Sequence, residues 1–203
     1  MGVRMKIIVV GGTGTLGCAV VKELLKRHTV IVAAHQHGDV RVDITDIHSI
    51  EKMFQSIGKF DALVATTGSV HFGLLQEMTS DQFQMGLQSK LMGQVNLVLR
   101  GLDYINDAGS FTLTSGVLAV DPIRQGSSAS MVNGALESFV KAAAIEMTNN
   151  IRINVVSPTV LTESMNVYAD YFRGFESVPA TRAALAFSKS VEGAQTGQVY
   201  RVE

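Results

Sequence analysis

Apolar positions follow two rhythms along this chain. Short runs such as Lys6-Ile7-Ile8-Val9-Val10 and Asp61-Ala62-Leu63-Val64-Ala65 read as buried strands. Between such runs the apolar residues recur every three or four positions, as at Leu16, Ala19, Val20 and Leu24, which is the spacing of one helix face. The pattern predicts strands over 5–10, 29–34, 39–42, 60–65, 109–114, 151–156 and 197–202. It predicts helices over 15–27, 46–57, 79–105 (where a break also fits), 127–148 and 180–190. Strands alternating with helices imply a doubly wound α/β domain, with a mostly parallel seven-stranded sheet, helices on both faces and right-handed crossovers. Glycine-bounded turns fall at element ends and no linker or internal repeat interrupts the pattern, so residues 1–203 read as one domain.

Ligands on such sheets bind beyond the carboxyl ends of the strands. Gly11–Gly17, Ala65–Gly68, Ser115 and Ser157–Leu161 all fall at those ends, so four strand ends converge on one crevice. The first of them carries the strongest signal. A buried strand meets Gly11-Gly12-Thr13-Gly14-Thr15-Leu16-Gly17 and passes directly into a helix. Glycines there let backbone N–H groups approach a pyrophosphate, and the helix N-terminus favours its charge. The spacing is not GxGxxG, so the turn alone does not name a cofactor.

Composition narrows the class. Of 203 residues, 46% are hydrophobic and only 3 are proline, which excludes a disordered chain. The net charge of -1 and the lack of a basic stripe argue against a nucleic-acid partner. The apolar N-terminus is too short to span a bilayer and runs straight into the glycine turn, so neither a signal peptide nor a membrane partner is expected. The single cysteine, Cys18, suits a reducing cytoplasm and is expected to be packed on the first helix. No metal site is expected.

With these elements in order, the chain resembles the short-chain dehydrogenases/reductases over nearly its whole length. Residues 10–17 resemble that family's TGxxxGxG turn, with Val10 for the threonine and Thr15 for the middle glycine. Asp43, in Val42-Asp43-Ile44-Thr45-Asp46, matches the aspartate that contacts adenine. Asp61 to Gly68 stands where the family has a strand ending in NNAG. Ile151-Arg152-Ile153-Asn154-Val155-Val156-Ser157-Pro158-Thr159 is similar to IRVNxVSPG, and Thr196-Gly197-Gln198 to the TGQ opening the last strand. The resemblance implies a Rossmann-type fold and a dinucleotide held by Gly11, Thr13, Gly14, Thr15, Leu16, His35, Asp43, Ile44, Thr66, Thr67, Gly68, Pro158, Thr159 and Val160. It also implies a substrate lid at about 159–180, shorter than is usual, and a homodimer or homotetramer built on the helices at 79–105 and 127–148. Beyond the second strand the chain reads Ala34-His35-Gln36-His37-Gly38, with no acid before Asp39 to take the ribose hydroxyls of NAD. His35 stands about where NADP-preferring members carry an arginine, which tilts the expected cofactor to NADP over NAD.

The family's catalytic set is only partly present. Ser115, in Leu113-Thr114-Ser115-Gly116, matches its serine. The tyrosine and the lysine four residues after it are missing: no tyrosine lies between Tyr104 and Tyr168, and no lysine between Lys90 and Lys141. One frame puts Ala129 and Asn133 at those two positions; shifting by two gives Ser127 and Met131. The family's asparagine falls at Lys90. In the first frame lysine and asparagine have exchanged helices, so the candidate catalytic residues are Ser115, Lys90 and Asn133. His71, and the lid residues Tyr168, Tyr171, Phe172 and Phe175, are further candidates for a proton donor or an apolar wall. Two functions stay open. One is an NAD(P)-dependent oxidoreductase acting on a small carbonyl or alcohol with a non-standard acid. The other is a dinucleotide-binding sensor or scaffold without turnover.

Overall fold

The computed structural model describes residues 4–203. Seven parallel strands form one sheet: β1 (Lys6–Val10), β2 (Thr29–Ala34), β3 (Val40–Arg41), β4 (Phe60–Ala65), β5 (Ile105–Thr114), β6 (Arg152–Pro158) and β7 (Val199–Val202). Their order across the sheet is β3-β2-β1-β4-β5-β6-β7. The order reverses direction at β1, where β2 lies on one side and β4 on the other. A crevice opens at that switch point, beyond the carboxyl ends.

Alternation along the strands feeds two cores. Ile8 and Val10 join one face with Leu63, Phe111, Ile153 and Val155, under helices α2 (Ile47–Ile57), α4 (Gly93–Gly101) and α5 (Ser127–Glu146). Ile7 and Val9 join the other face with Ala62, Val64 and Val156, under α1 (Thr15–Leu24) and α7 (Ala180–Glu192). Phe54, Phe60, Phe111 and Phe187 are fully buried, and each contributes about 2–3 kcal/mol by leaving water. A polar seam crosses the α7 side. Thr112 and Asn154 both reach Ser190, and Asn154 also binds Gln195 O and Gln198 N. The asparagine of the Ile151–Pro158 motif therefore pins the approach to β7.

Several element bounds differ from the sequence expectation. β5 begins at Ile105, four residues early, because the irregular stretch around Ala108 (φ 59°) lets the chain pair with β4 at Phe60 and again from Ala62. β3 shrinks to two residues, and α1 stops at Leu24 in a turn rather than running to residue 27. The predicted helix over 79–105 spans 80–101 without breaking. Instead α3 (Ser80–Gly86), capped by Thr79 and Gln82, widens into a π turn over Leu87–Met92 before α4. Cys18 is exposed, not packed, because α1 turns Gly17, Ala19, Val20 and Leu24 inward. Beyond β6 the segment before α7 contains one short helix, α6 (Met165–Tyr168), and is closed at its base by a bridge between Leu161 and Val178.

Candidate functional site

The glycine turn is shaped by two close approaches. Gly11 has φ +84°, and a Cβ on it would lie 2.7 Å from the Thr66 carbonyl oxygen. At Gly17 a Cβ would overlap the Gly11 carbonyl. Gly14 is different: its φ is -77°, and a Cβ there would meet only Gly11 O at 3.5 Å. The helix that follows starts with no side-chain cap and no acid in its first turn. Its N–H groups and dipole are therefore available to an anion.

A cavity of about 460 Å³ lies over this turn. It is lined by Gly11, Thr13, Gly14, His35, Asp43, Ile44, Thr66, Thr67 and Gly68, nine of the residues singled out in the sequence. Val10, Ala34, Val42, Thr45, Ser69 and Ser89 complete the wall and were not singled out. Thr15 and Leu16 lie outside it: Thr15 is exposed, and Leu16 packs on the second core. Pro158, at the end of β6, and Thr159 and Val160 just beyond it are buried and do not line it. Asp43 accepts Thr45 Oγ1 at 2.7 Å and Thr45 N at 2.9 Å through one oxygen, and these bonds hold its carboxyl below the usual carboxylate range. Its second oxygen lies 3.8 Å from His35 Nε2.

At the far end of the crevice, Gly68 (φ +116°) lies against Lys90; a Cβ on that glycine would sit 2.5 Å from Lys90 Cα. Lys90 occupies the π turn and is half-buried. Its Nζ donates to the Ser115 carbonyl at 3.0 Å, and no carboxylate pairs with it among the described residues. Burial pushes its pKa down to about 8. Gln94, fully buried one turn on, donates to the carbonyls of Lys90 (3.2 Å) and Thr114 (2.9 Å) and accepts from Thr114 N (2.8 Å). It ties the π turn to the end of β5. A glutamine four residues after Lys90 was the available signal, and it was missed.

Ser115 is 3% exposed and its hydroxyl donates to Glu137 Oε1 at 3.1 Å. Glu137, on α5, is in turn paired with Arg201 of β7 at 3.2 Å. Neither was foreseen, although Glu137 lies one helical turn beyond Asn133 on the same face. Asn133 is 3% exposed; its Nδ2 would lie 3.1 Å from a Cβ on Gly116, and its Oδ1 is buried without a partner. Lys90 and Asn133 thus address the successive residues Ser115 and Gly116 from opposite helices. Ala129, which one sequence frame sets at the tyrosine position, is buried with Val117, Leu118, Val160 and Phe172.

The aromatic residues after β6 form a wall with Phe72. Phe72 stands 6.0 Å from both Tyr168 and Tyr171, and Phe172 meets Tyr168 and Phe175 edge-on. His71 lines a separate cavity of about 350 Å³ with Phe72, Glu77 and Gln82, away from the glycine turn. Among the described residues no group of three or more His, Cys, Asp or Glu could hold a metal, and no helix is long and apolar enough to cross a membrane.

A sheet that switches direction at β1, with a glycine turn at the switch and a serine at the end of β5, is the arrangement of a nucleotide-binding α/β protein. The family model described as Enoyl-(Acyl carrier protein) reductase matches residues 13–199. The chain belongs to the short-chain dehydrogenase/reductase superfamily. Versicolorin reductase 1 of Dothistroma septosporum is 24% identical over 186 residues, covering 79% of this chain and 71% of its own. L-xylulose reductase of Mesocricetus auratus is 28% identical, covering 62% of this chain and 53% of its own. Among solved structures, the protein lin1944 from Listeria innocua is 54% identical with a TM-score of 0.97, over 98% of this chain and 100% of its own. A small-chain dehydrogenase in complex with NADPH is 27% identical with a TM-score of 0.88, over 99% and 97%. Its relatives are thus short-chain oxidoreductases.

Proposed function

We propose that this protein is an NADP(H)-dependent oxidoreductase of a small carbonyl or alcohol, with Lys90 as the proton-holding residue of a non-standard site. The observation that carries this reading is a half-buried lysine with no carboxylate partner among the described residues, held between the Ser115 carbonyl and Gly68, which lines the end of the cavity beside it. The crevice fits a dinucleotide. The α1 N-terminus is free for the pyrophosphate, Gly14 leaves open space above the turn, and Asp43 keeps an oxygen for an adenine amine. The NADPH complex of the 27% identical dehydrogenase supports the same cofactor.

Bound NADPH would supply the hydride. With a pKa of about 8, Lys90 is mostly an ammonium near neutral pH and can deliver a proton to a nascent alkoxide, directly or through a water. Asn133 offers an amide to orient that water or the substrate. Ser115 lends its hydroxyl to the substrate oxygen only by turning from Glu137. We place the protein in the cytoplasm, as a homodimer or homotetramer.

The competing reading is a dinucleotide-binding sensor or scaffold. Two observations support it: no tyrosine lies between Tyr104 and Tyr168, and the Ser115 hydroxyl is engaged by Glu137. A carbonyl panel followed by NADPH absorbance, run beside a binding titration, separates the two. Turnover that falls at least tenfold in both Lys90→Met and Ser115→Ala supports the enzyme. Tight binding with no turnover on any substrate supports the sensor.

A further inference from the structure

The hydrogen bond between Ser115 and Glu137 has a direction. A carboxylate only accepts, so the Ser115 hydroxyl is the donor, at 3.1 Å to Oε1. A hydroxyl carries one proton and two lone pairs. With its proton given to Glu137, Ser115 Oγ has only lone pairs left for whatever enters the site. Turning away would strand a carboxylate oxygen that is buried on α5, which is costly. The carboxylate is itself fixed from β7: Arg201 Nη2 donates to Oε2 at 3.2 Å, and Nη1 reaches Oε1 at 3.5 Å. Asn133, one helical turn before Glu137, adds a second buried acceptor, an Oδ1 with no partner among the described residues. Lys90 supplies the opposite polarity. Of its three ammonium donors, one is spent on the Ser115 carbonyl at 3.0 Å.

We propose that Glu137, held by Arg201, is a positioning residue that sets Ser115 as a hydrogen-bond acceptor, so that the site is matched to the hydroxyl of an alcohol rather than to a bare carbonyl oxygen. The proposal rests on the oxidoreductase reading of the site. An alcohol oxygen can accept from Lys90 and donate to Ser115 in one pose. A carbonyl oxygen only accepts, so it satisfies Lys90 and leaves Ser115 Oγ facing another lone pair. Arg201 acts one step further back. A guanidinium only donates. In Glu137→Gln the amide oxygen must therefore take the place of Oε2, facing Arg201 Nη2, and the amide nitrogen the place of Oε1, facing Ser115. The bond then reverses: the new amide donates to Ser115 Oγ, and the serine proton is free for a carbonyl oxygen. A substitution of nearly equal volume thus inverts the polarity of the site.

The couple that turns over fastest in the carbonyl panel supplies the probes. Its alcohol is titrated into NADPH-loaded protein and its carbonyl partner into NADP+-loaded protein, two pairings that cannot react, and each Kd is read by ligand-observed NMR. The two cofactor forms are the same in every variant, so their own effect cancels in the comparison. In the wild type the alcohol should bind about tenfold more tightly, the worth of one hydrogen bond. Ser115→Ala should bring the two Kd values within about twofold, and Glu137→Gln should reverse their order. A Glu137→Gln protein that weakens both ligands alike and keeps the wild-type order has lost a structural contact only, and overturns the proposal. A wild type that binds the carbonyl compound more tightly overturns it whatever the variants do. Should Glu137→Gln fail to fold, the wild type and Ser115→Ala decide it alone. Turnover without an alcohol preference overturns this proposal and leaves the oxidoreductase reading standing; no turnover of any couple overturns both.

Discussion

Replacing Lys90 by methionine should change how stability depends on pH, by an amount the site fixes. The fold holds the lysine at a pKa of about 8, against an ordinary 10.5, because it is drawn away from water without a carboxylate partner. Unfolding restores the ordinary value, so between these two pKa values the unfolded chain binds more protons. Stability must therefore rise as pH rises through that window, and the lysine costs most below pH 8. Full burial would make this rise about 1.3 kcal/mol between pH 7 and pH 9; for a half-buried side chain about 1 kcal/mol is the better expectation. Methionine keeps most of the packing and cannot titrate. It also forfeits the bond to the Ser115 carbonyl, at a cost of about 1 kcal/mol that does not vary with pH. The informative quantity is thus the difference between the two proteins at pH 9 minus that at pH 7. Urea unfolding at both pH values should give about 1 kcal/mol in favour of the wild type, equivalent to about 2–4 °C in Tm. Parallel curves for the two proteins would show that Lys90 is solvated and unsuited to the proposed role.

Gly17→Ala should lower stability by several kcal/mol or prevent folding, since its Cβ overlaps the Gly11 carbonyl; Gly14→Val should fold normally yet lose dinucleotide binding, as a melt beside a titration would show. Arg201→Met should destabilise by about 3 kcal/mol in denaturant, because it leaves Glu137 buried without its cation, and Glu137→Gln in the same chain should recover part of that loss. Leu99 on α4 and Leu102 just after it are exposed beside an apolar hollow that includes Phe139 and Met147, so Leu99→Asp should convert a dimer to a monomer by light scattering at micromolar concentration; a wild type already monomeric there refutes the interface.

The parts of the fold set by periodicity were legible. Ile7 to Val10 alternate between two cores, and that alternation, together with the helical repeat of α1, is visible in the letters. The cavity wall was legible for a related reason. Gly11, Gly14 and Gly68 are turn glycines at strand ends, and strand ends in such sheets share one side. What was not legible depends on side-chain rotation and on local packing. Leu16 follows the turn, but its side chain packs on the core behind it, which adjacency in sequence does not reveal. The π turn at Leu87–Met92 adds one residue to a helical turn without any glycine or proline inside to announce it. Glu137 and Arg201 lie 64 residues apart, and nothing local in either stretch foretells their pairing.

In the frame that sets Asn133 at the family's lysine position, lysine and asparagine would have exchanged helices, and the unforeseen contacts bear on that reading. A lysine moved to the α3–α4 run would be a surface residue if that helix were regular and free of the sheet. Here Gln94 fastens the π turn to β5 through Thr114, and Gly68 lies flat against the lysine stem. The ammonium is thereby brought to the end of β5, beside the strand end that carries Ser115. On α5 stands Asn133, whose buried Oδ1 has no protein partner among the described residues. A buried amide oxygen left unsatisfied costs about 1–3 kcal/mol, so its retention is explained most simply by a donor that arrives with a ligand or a water. Ser115 lies between the two, bonded through its carbonyl to Lys90 and through its hydroxyl to Glu137. Lys90 and Asn133 are thus both held against the end of β5, and that is the arrangement from which the proposed proton transfer would start.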